Sequence, residues 1–324
     1  MIIAPLFFAI SLFQAGPQSA DYTGPKKRAA VSGFDLNIKE LRIYSDYTPS
    51  GAPAAASIDI DSPSEFGTGM ADMLVTALID SKRFIVLERR DMKDIESELD
   101  LQKSNAVGED STVKAGKLLG AQVLVRGSLT ELSYKKNVTG LGGGVIEDVQ
   151  ASQATYAAIC AVDIKLIDVE TGQVLDSVKG EGKTVNKTKS IGFTAKQFSF
   201  GTSSFETSSI AKAIRMSIQD GVKKLLERTD KMPWEARIAS ISSDLLYLNF
   251  GANSGIKEGT VLEVFRPGKA IVDPQTKVVL GREEDVVLGK CRVRTLNPKF
   301  SIAVVTEGTG LEVGDGVRLP KTGK

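Results

Sequence analysis

The sequence predicts an α+β protein, in which an α/β layer carries two long β-hairpins and is followed by a small all-β barrel of SH3-like size. Three observations support this fold class. Through the first part of the chain, apolar residues alternate between the helical and the strand period. Two pairs of unusually long strand-like runs then follow, at about residues 129–168 and 171–207. From residue 233 onward, short strand-like runs are separated by glycine turns.

The amino-acid composition excludes several kinds of active site. The 324-residue chain contains no His, so a Ser/His/Asp triad, a Cys/His dyad and a His-ligated metal cannot form. Cys160 and Cys291 are too few for a disulfide framework or a four-thiolate zinc site, although a single bridge between them stays open. The formal net charge of +1 predicts no attraction to nucleic acid. We therefore expect no catalytic residue, no cofactor, no metal and no nucleic-acid partner.

The first residues are typical of an export signal. The stretch Ile2–Phe13 is apolar and too short to cross a bilayer as a helix, and small and polar residues follow it up to Ala20. We expect residues 1–20 to be a signal peptide that directs the chain out of the cytoplasm. A buried N-terminal strand is the alternative interpretation of the same residues.

Residues 21–232 are predicted to form the α/β layer. Two strands are expected at Arg28–Phe34 and Glu40–Tyr47, and a loop rich in Ala, Pro and Ser follows them. The chain then takes up helical spacing from Ser64, which we expect to cap the helix. The apolar face of this helix consists of Met70, Met73, Leu74, Ala77 and Leu78.

The rest of the layer continues the alternation of helix and strand. The expected elements are a buried strand, two amphipathic helices and a second strand, at Phe84–Leu87, Asp91–Leu101, Thr112–Leu119 and Ala121–Leu129. After the hairpins, Ser208 or Ser209 is expected to cap a last helix. Its apolar stripe, which we expect to be core, is formed by Ile210, Ile214, Ile218, Val222 and Leu225.

The two hairpins differ in the character of their faces. A transmembrane β-strand needs about 9–11 residues and an apolar face toward lipid. The first hairpin nearly meets this requirement, because it has a mild apolar face at Ala154, Tyr156, Ala158, Cys160, Val162 and Ile164. The second hairpin meets it poorly, because a lysine-rich face lies opposite a row formed by Val178, Gly180, Gly182, Thr184, Asn186 and Thr188.

The C-terminal part, residues 233–324, is predicted to be a separate all-β domain. Pro233 and Trp234 mark its beginning, and glycines separate its runs. Strands are expected at Ala236–Ile241, Leu245–Phe250, Val261–Phe265, Val278–Leu280, Gly289–Val293 and Ser301–Thr306.

Two short motifs suggest ligand binding but lack the context that it needs. Gly182-Lys183-Thr184 resembles the end of a phosphate-binding loop, yet Ser177 replaces the first glycine and the residues that follow alternate as a strand. Asp59-Ile60-Asp61 resembles the start of a calcium loop, yet Met70 stands where the glutamate at position twelve is required. We interpret both as ordinary surface.

One longer run is far more specific. The residues M-L-V-T-A-L-I-D-S-K-R-F-I-V-L-E-R-R-D, from Met73 to Asp91, are similar to the signature of the CsgG family of curli-type outer-membrane secretion proteins. Further segments resemble the family in the same order, at Ala115–Leu129, Val162–Leu175 and Ile210–Leu226. The resemblance extends over about Lys27 to Arg228.

The resemblance implies an α/β periplasmic domain, of the kind shared with LpoB and TolB N-terminal domains, that assembles into a homo-oligomeric ring. Two hairpins from each subunit would join into one closed membrane barrel through which unfolded polypeptide is exported. Closure makes this plausible, because a hairpin alone would leave unpaired backbone groups in lipid. The implied partners are further copies of the chain, the exported polypeptide or accessory envelope proteins, and the outer membrane. The implied location is the periplasm and outer membrane of a Gram-negative-type bacterium.

The resemblance also implies residues for the two parts of such a channel. The hairpin residues that we expect at the membrane are Ala154, Tyr156, Ala158, Val162, Phe193, Phe198 and Phe200. In the loop Ala52–Gly67, where the family narrows its channel with aromatic and Asn residues, only Phe66 is aromatic; Phe66 and Asp61 are the candidate constriction residues. The chain also departs from the family in having no Cys for a lipid anchor after the apolar stretch.

Two functions follow from these observations. The first is a non-enzymatic subunit of an oligomeric export channel. The second is a periplasmic non-channel relative that acts as a structural or partner-binding module of the cell envelope. The polar second hairpin and the additional β domain favour the second function, whereas the signature and the paired hairpins favour the first.

Overall fold

The structure is a computed structural model. It describes residues 24–38, 40–45, 54–59, 62–93, 95, 97, 120–139, 153–189, 205, 208–229, 233–275 and 279–320. The predicted signal peptide, the predicted helix at Thr112–Leu119 and most of the predicted helix at Asp91–Leu101 therefore lie outside the described residues.

The first part of the chain forms a mixed sheet with two helices. Its strands are β1 (Lys27–Leu36), β2 (Glu40–Ser45), β3 (Ala54–Asp59), β4 (Phe84–Leu87), β5 (Val123–Thr139), β6 (Gln153–Asp168) and β7 (Val174–Lys189). The helices are α1 (Pro63–Asp80) and α2 (Ser209–Thr229).

Strand β5 is the centre of the seven-stranded sheet. On one edge it pairs in parallel first with β1, along Val123–Leu129, and then with β2, along Ser133–Lys136. On the other edge it pairs with β6 over nearly its whole length, and β6 pairs in turn with β7. β4 flanks β1 and β3 flanks β2. The long antiparallel strands β5, β6 and β7 are therefore continuous with the shorter parallel part of the sheet.

Both helices share one core with this sheet. Phe66 of α1 meets Phe205 edge to face, with the ring centroids 5.8 Å apart. The predicted stripe of α2 is confirmed as core, since none of its five residues is more than 3% exposed. The predicted face of α1 is confirmed for Met70, Met73, Leu74 and Leu78, all of which are buried. Ser208 caps α2, because its Oγ accepts a hydrogen bond from the backbone N–H of Ala211 at 3.1 Å.

The last part of the chain is a closed barrel of six strands with its own core. The order around the barrel is β10, β13, β14, β9, β8 and β15. The strands are β8 (Glu235–Ser242), β9 (Leu245–Leu248), β10 (Val261–Arg266), β13 (Val286–Leu296), β14 (Ser301–Gly308) and β15 (Gly316–Arg318). A separate two-stranded sheet consists of β11 (Ala270–Val272) and β12 (Val279–Arg282). The structure confirms the small all-β barrel, while its closer likeness to SH3 domains stays a prediction.

Two predictions for the first part of the chain are wrong. The segment after β2 is not only loop, because Ala54–Asp59 pairs with β2 as an additional edge strand. Alanine and serine lack the β-branched side chains that identify a strand from sequence. Helix α1 begins at Pro63, and Ser62 rather than Ser64 occupies the N-cap position without a capping side-chain bond. Proline suits the first helical position because no N–H is required there.

The two cysteines belong to different cores. Cys160 is buried in the first core and Cys291 in the barrel, and both are free thiols. Burial raises the pKa of each to about 12. No bridge joins them, and protonated buried thiols are poor nucleophiles.

Candidate functional site: the long strands and the helix that covers them

Strands β5, β6 and β7 leave the packed core at a common row. The row consists of Tyr134, Ala158 and Thr184, which are paired across the three strands. Tyr134 and Ala158 are buried, and the Thr184 hydroxyl donates a hydrogen bond to the Ser209 carbonyl at the start of α2 at 2.8 Å. Helix α2 therefore covers the strands only up to this row. Beyond it, five residues of each strand are described, at Lys135–Thr139, Gln153–Ala157 and Val185–Lys189.

We call the part of β7 from Val174 to Thr184 the part below the row, and the part from Val185 to Lys189 the part above it. Below the row, glycines let α2 approach β7 closely. A Cβ atom on Gly182 would overlap the carbonyl oxygen of Ala213 and lie 2.6 Å from the Ser217 nitrogen. A Cβ on Gly180 would overlap the Ser217 carbonyl oxygen and lie 2.7 Å from the Gly221 nitrogen. The side-chain-free row of β7 thus faces a helix in this part of the strand. The sequence predicts that this row is poorly suited to face lipid, and Gly180 and Gly182 lie against α2 instead.

Below the same row, side chains from α2 occupy the outer edge of β7. Within the described residues, β7 pairs only with β6, so its other edge presents backbone groups. Asp220 Oδ2 accepts the backbone N–H of Glu181 at 3.0 Å, and Lys224 Nζ donates to the carbonyl oxygen of Lys179 at 2.9 Å. Asp220 and Lys224 also pair with each other at 2.6 Å. We call this arrangement the edge cap, and it satisfies backbone groups that another strand would otherwise contact.

The charges of the edge cap support one another. Burial alone would raise the pKa of Asp220, but the bonds from Lys224 and from the Glu181 amide hold the pKa below its usual value. The carboxylate therefore stays ionised as an acceptor for the edge amide. The sequence signal for this arrangement is only an acid and a lysine four residues apart on the helix, which is common on helix surfaces.

The structure places the predicted membrane residues in two regions. Ala158 and Val162 are both 0% exposed and belong to the core that α2 covers. For these two residues the predicted position at lipid is therefore wrong, because their apolar face is the face covered by the helix. Ala154 and Tyr156 lie on β6 beyond the row. Phe193, Phe198 and Phe200 lie outside the described residues.

The predicted constriction residues are not brought together as a channel lining. Phe66 lies on α1 and is 2% exposed, packed against Phe205. Its side chain is part of the core and faces no open space, so the prediction of a constriction at Phe66 is not supported by its position. Asp61 lies outside the described residues.

A shallow polar cavity of about 250 Å³ lies near the start of α1, and its charged groups are already paired. Arg126 donates to both carboxylate oxygens of Asp35, at 2.8 and 2.9 Å. Arg90 forms an ion pair with Asp72. Because each guanidinium in this cavity has a carboxylate partner, the cavity has no unmatched charge to offer a ligand.

Acidic and thiol side chains do not converge in the part of the chain that the structure describes. There, no group of three or more His, Cys, Asp or Glu residues is placed to hold a metal ion.

Among the described residues, no helix combines the length and the apolar character needed to cross a membrane.

The sequence matches one family model and is similar to several known proteins. A family model for the curli production assembly/transport component CsgG matches residues 17–243. A protein of Neisseria meningitidis serogroup B that bears the name "Putative lipoprotein" is 24% identical over 178 residues, which are 54% of this chain and 70% of that protein. CsgG of Salmonella typhimurium is 32% identical over 111 residues, 33% of this chain and 39% of that protein. The chain thus spans about two-fifths of the curated CsgG proteins that it matches.

The similarity to solved structures is more distant. A protein from Xanthomonas campestris is 12% identical with a TM-score of 0.31, covering 63% of this chain and 84% of its own. The PelC dodecamer from Paraburkholderia phytofirmans is 14% identical with a TM-score of 0.23, covering 62% of this chain and 88% of its own.

Proposed function

The chain belongs to the CsgG family of curli production assembly/transport components, and on that premise we propose that it is a non-enzymatic subunit of an oligomeric secretion channel. In this proposal the subunit lies in the cell envelope of a Gram-negative-type bacterium, between periplasm and outer membrane. Its partners are further copies of itself and the unfolded polypeptide that it exports.

The observation that carries the proposal is the common row at which three long strands leave their helix. Strands of 17, 16 and 16 residues are about three times the usual strand length. At about 3.3 Å per residue, a strand of 16 residues extends for about 53 Å. Helix α2 covers only the part below Tyr134, Ala158 and Thr184, so the upper part needs another environment.

The upper part of the strands is the segment that we assign to the membrane. A span of about 9–11 residues per strand is needed, and the described strands supply five residues each beyond the row. In the proposal, Ala154, Tyr156, Phe193, Phe198 and Phe200 lie in this segment. Backbone groups at the strand edges would pair with those of neighbouring subunits, because open edges are not tolerated in lipid.

The test is to express the full chain in a Gram-negative host, fractionate the membranes and record single channels from the sized detergent extract. A large conducting ring supports the proposal, and a soluble small oligomer without conductance contradicts it. Ala154→Arg places a charge in the proposed lipid segment, where it costs about 2–4 kcal/mol near the bilayer midplane. We expect this variant to be lost from the membrane fraction. The matched control is Leu175→Arg, at an exposed site near the other end of β7, which should leave insertion unchanged.

A second function is favoured by one specific observation. The closed barrel extends to Arg318, whereas the family match ends at residue 243. An added domain of this kind suits a periplasmic module that binds partner proteins without forming a channel. Recovery of a soluble oligomer that lacks conductance would favour this second function over the first.

A further inference from the structure

A polar cleft of about 400 Å³ lies where the layer meets the barrel. Its volume is in the range of small-ligand sites, which often lie at domain interfaces. One wall comes from the beginnings of β1 and β5 and from the turn after β6. The other wall comes from β8 and the end of β9. The residues that line the cleft include Arg28, Gln122, Glu235, Arg237 and Asn249.

Gln122 fixes the two walls relative to each other. Its side-chain oxygen accepts the backbone N–H of Arg28 at 2.9 Å, and its Nε2 donates to the backbone carbonyl of Glu235 at 3.0 Å. One side chain thereby bonds the first strand of the layer and the first strand of the barrel. The cleft has a defined shape because both of its walls are held by the same amide.

Arg28 is a half-buried cation without a carboxylate partner among the described residues. Its Nη1 donates to the Asn249 carbonyl oxygen at 3.3 Å, and its Nε is buried without a hydrogen-bond partner in the described chain. By contrast, Arg126, Arg228, Arg266 and Arg318 each pair with a carboxylate. A buried charge that lacks a counter-ion is costly, and a carboxylate matches the guanidinium fork in two hydrogen bonds.

The cleft also contains a carboxylate and a side-chain amide. Glu235 is half-buried, and no hydrogen bond to its carboxylate is found within the described residues. Asn249 accepts the Arg237 backbone N–H through Oδ1 at 2.8 Å, which leaves its amide nitrogen as a donor. A fully ionised anion such as sulfate could satisfy Arg28 but has no hydrogen-bond donor for Glu235. A peptide end has both a carboxylate and amide N–H groups.

We propose that this cleft binds the free C-terminal carboxylate of a short peptide segment, with Arg28 receiving the carboxylate. Glu235 accepts N–H groups of the peptide, and Asn249 donates to a peptide carbonyl. The bound peptide replaces no existing ion pair. Because it contacts both walls, it also strengthens the joint between the layer and the barrel.

The test uses the purified full chain, titrated calorimetrically with N-acetyl-Ala-Ala and with its C-terminal amide. We expect the acid to bind at least ten times more tightly than the amide, because hydrogen bonds to charged groups are the stronger ones. Arg28→Gln should abolish binding, and Arg28→Lys should weaken it, because lysine keeps the charge but not the fork. Arg126→Gln removes an arginine of the same sheet outside the cleft and should leave binding unchanged.

Three outcomes overturn the inference. The first is equal binding of acid and amide by the wild-type chain, which needs no variant and so is independent of folding defects. The second is unchanged binding by Arg28→Gln with a native circular dichroism spectrum. The third is full displacement of the peptide by inorganic phosphate at an equal concentration, which would make the site a general anion site. Each is measured in solution, so the result is separate from whether the chain conducts.

Discussion

The seven-stranded sheet and the six-stranded barrel deal with strand edges in opposite ways. In the barrel each of the six strands has two neighbours, so the ring leaves no free edge. In the sheet the last described strand, β7, has a strand on one side only, and Asp220 and Lys224 satisfy backbone groups on its other side. A closed domain needs no partner to be complete, whereas an open sheet must either block its edge or share it.

The parts of β7 below and above the row therefore have different roles in our proposal. Below the row of Tyr134, Ala158 and Thr184, the edge cap blocks pairing and α2 covers the face. Above the row, β7 continues beyond the level of Ser209, where α2 begins. In our proposal assembly therefore begins above the row, while the barrel remains a self-contained domain on the opposite side of the joint.

The largest expected effect comes from opening a cavity in either core. Ile214 in α2 and Leu248 in β9 are each 0% exposed, and truncating such residues to alanine costs about 2–5 kcal/mol. The two cores are separate clusters. Ile214→Ala should therefore lower only the unfolding temperature of the α/β layer, and Leu248→Ala only that of the barrel. Differential scanning calorimetry of the two variants measures this. A single unfolding transition that is lowered equally in both variants would show that the layer and the barrel do not unfold independently.

The next effect concerns the close approach of α2 to β7. Gly182→Ala would place a methyl group against the Ala213 backbone, and overpacking of this kind costs about 1–3 kcal/mol or more. Gly281→Ala is the matched control, because nothing lies within 4 Å of a Cβ at that position. Urea denaturation should show a loss for Gly182→Ala and almost none for Gly281→Ala. Equal stability of the two variants would contradict the packing described for α2.

A smaller effect is expected from removing the edge cap. Asp220→Ala removes the acceptor of the Glu181 N–H, and because this bond is exposed to water its loss costs about 0.5–1.5 kcal/mol. The exposed edge should also pair between copies, so the variant should form larger species on a sizing column at high concentration. Glu227→Ala removes an exposed acid from the same helix and should stay like wild type. If Asp220→Ala behaves like this control, the edge cap does not prevent pairing of β7 between copies.

The smallest effect is a change in pH dependence at the joint. Burial raises the pKa of Glu235 above its usual value, and nearby Asp285 adds to the rise. The folded state therefore holds this proton more tightly than the unfolded state, so the stability that Glu235 contributes is lost as pH rises through the folded-state pKa. We expect Glu235→Gln to have a higher Tm than wild type at pH 7, and the two to converge near pH 4. A constant difference at both pH values would contradict this assignment.

The sequence predicted the fold well wherever one periodic face decides the structure. The stripe of α2 and five of the six strands of the barrel were found because apolar spacing and glycine turns are local signals. β3 was missed because its alanines and serines carry no such signal, and only pairing with β2 identifies it. β15 was missed because three residues are too few to show alternation.

The sequence predicted the candidate site less well than it predicted the fold. The alternation of Gly180 and Gly182 was visible, but its cause was not, because the helix that requires it is about thirty residues away in the chain. Phe66 was assigned a channel role by analogy, although the structure shows it in the core. The cleft around Arg28 combines residues from separate parts of the chain, between Lys27 and Asn249, and no local pattern indicates it.

The joint between the layer and the barrel also has a consequence for the order of events during synthesis. The backbone N–H of Lys26, just before β1, donates to the Ser254 carbonyl at 2.7 Å, and the Trp234 indole donates to the Lys26 carbonyl at 3.2 Å. A chain made from its N-terminus has completed β1 long before Trp234 and Ser254 exist. The first strand of the layer pairs along its length with β4 and β5, and the residues just before it gain these further bonds only after Trp234 and Ser254 have been made.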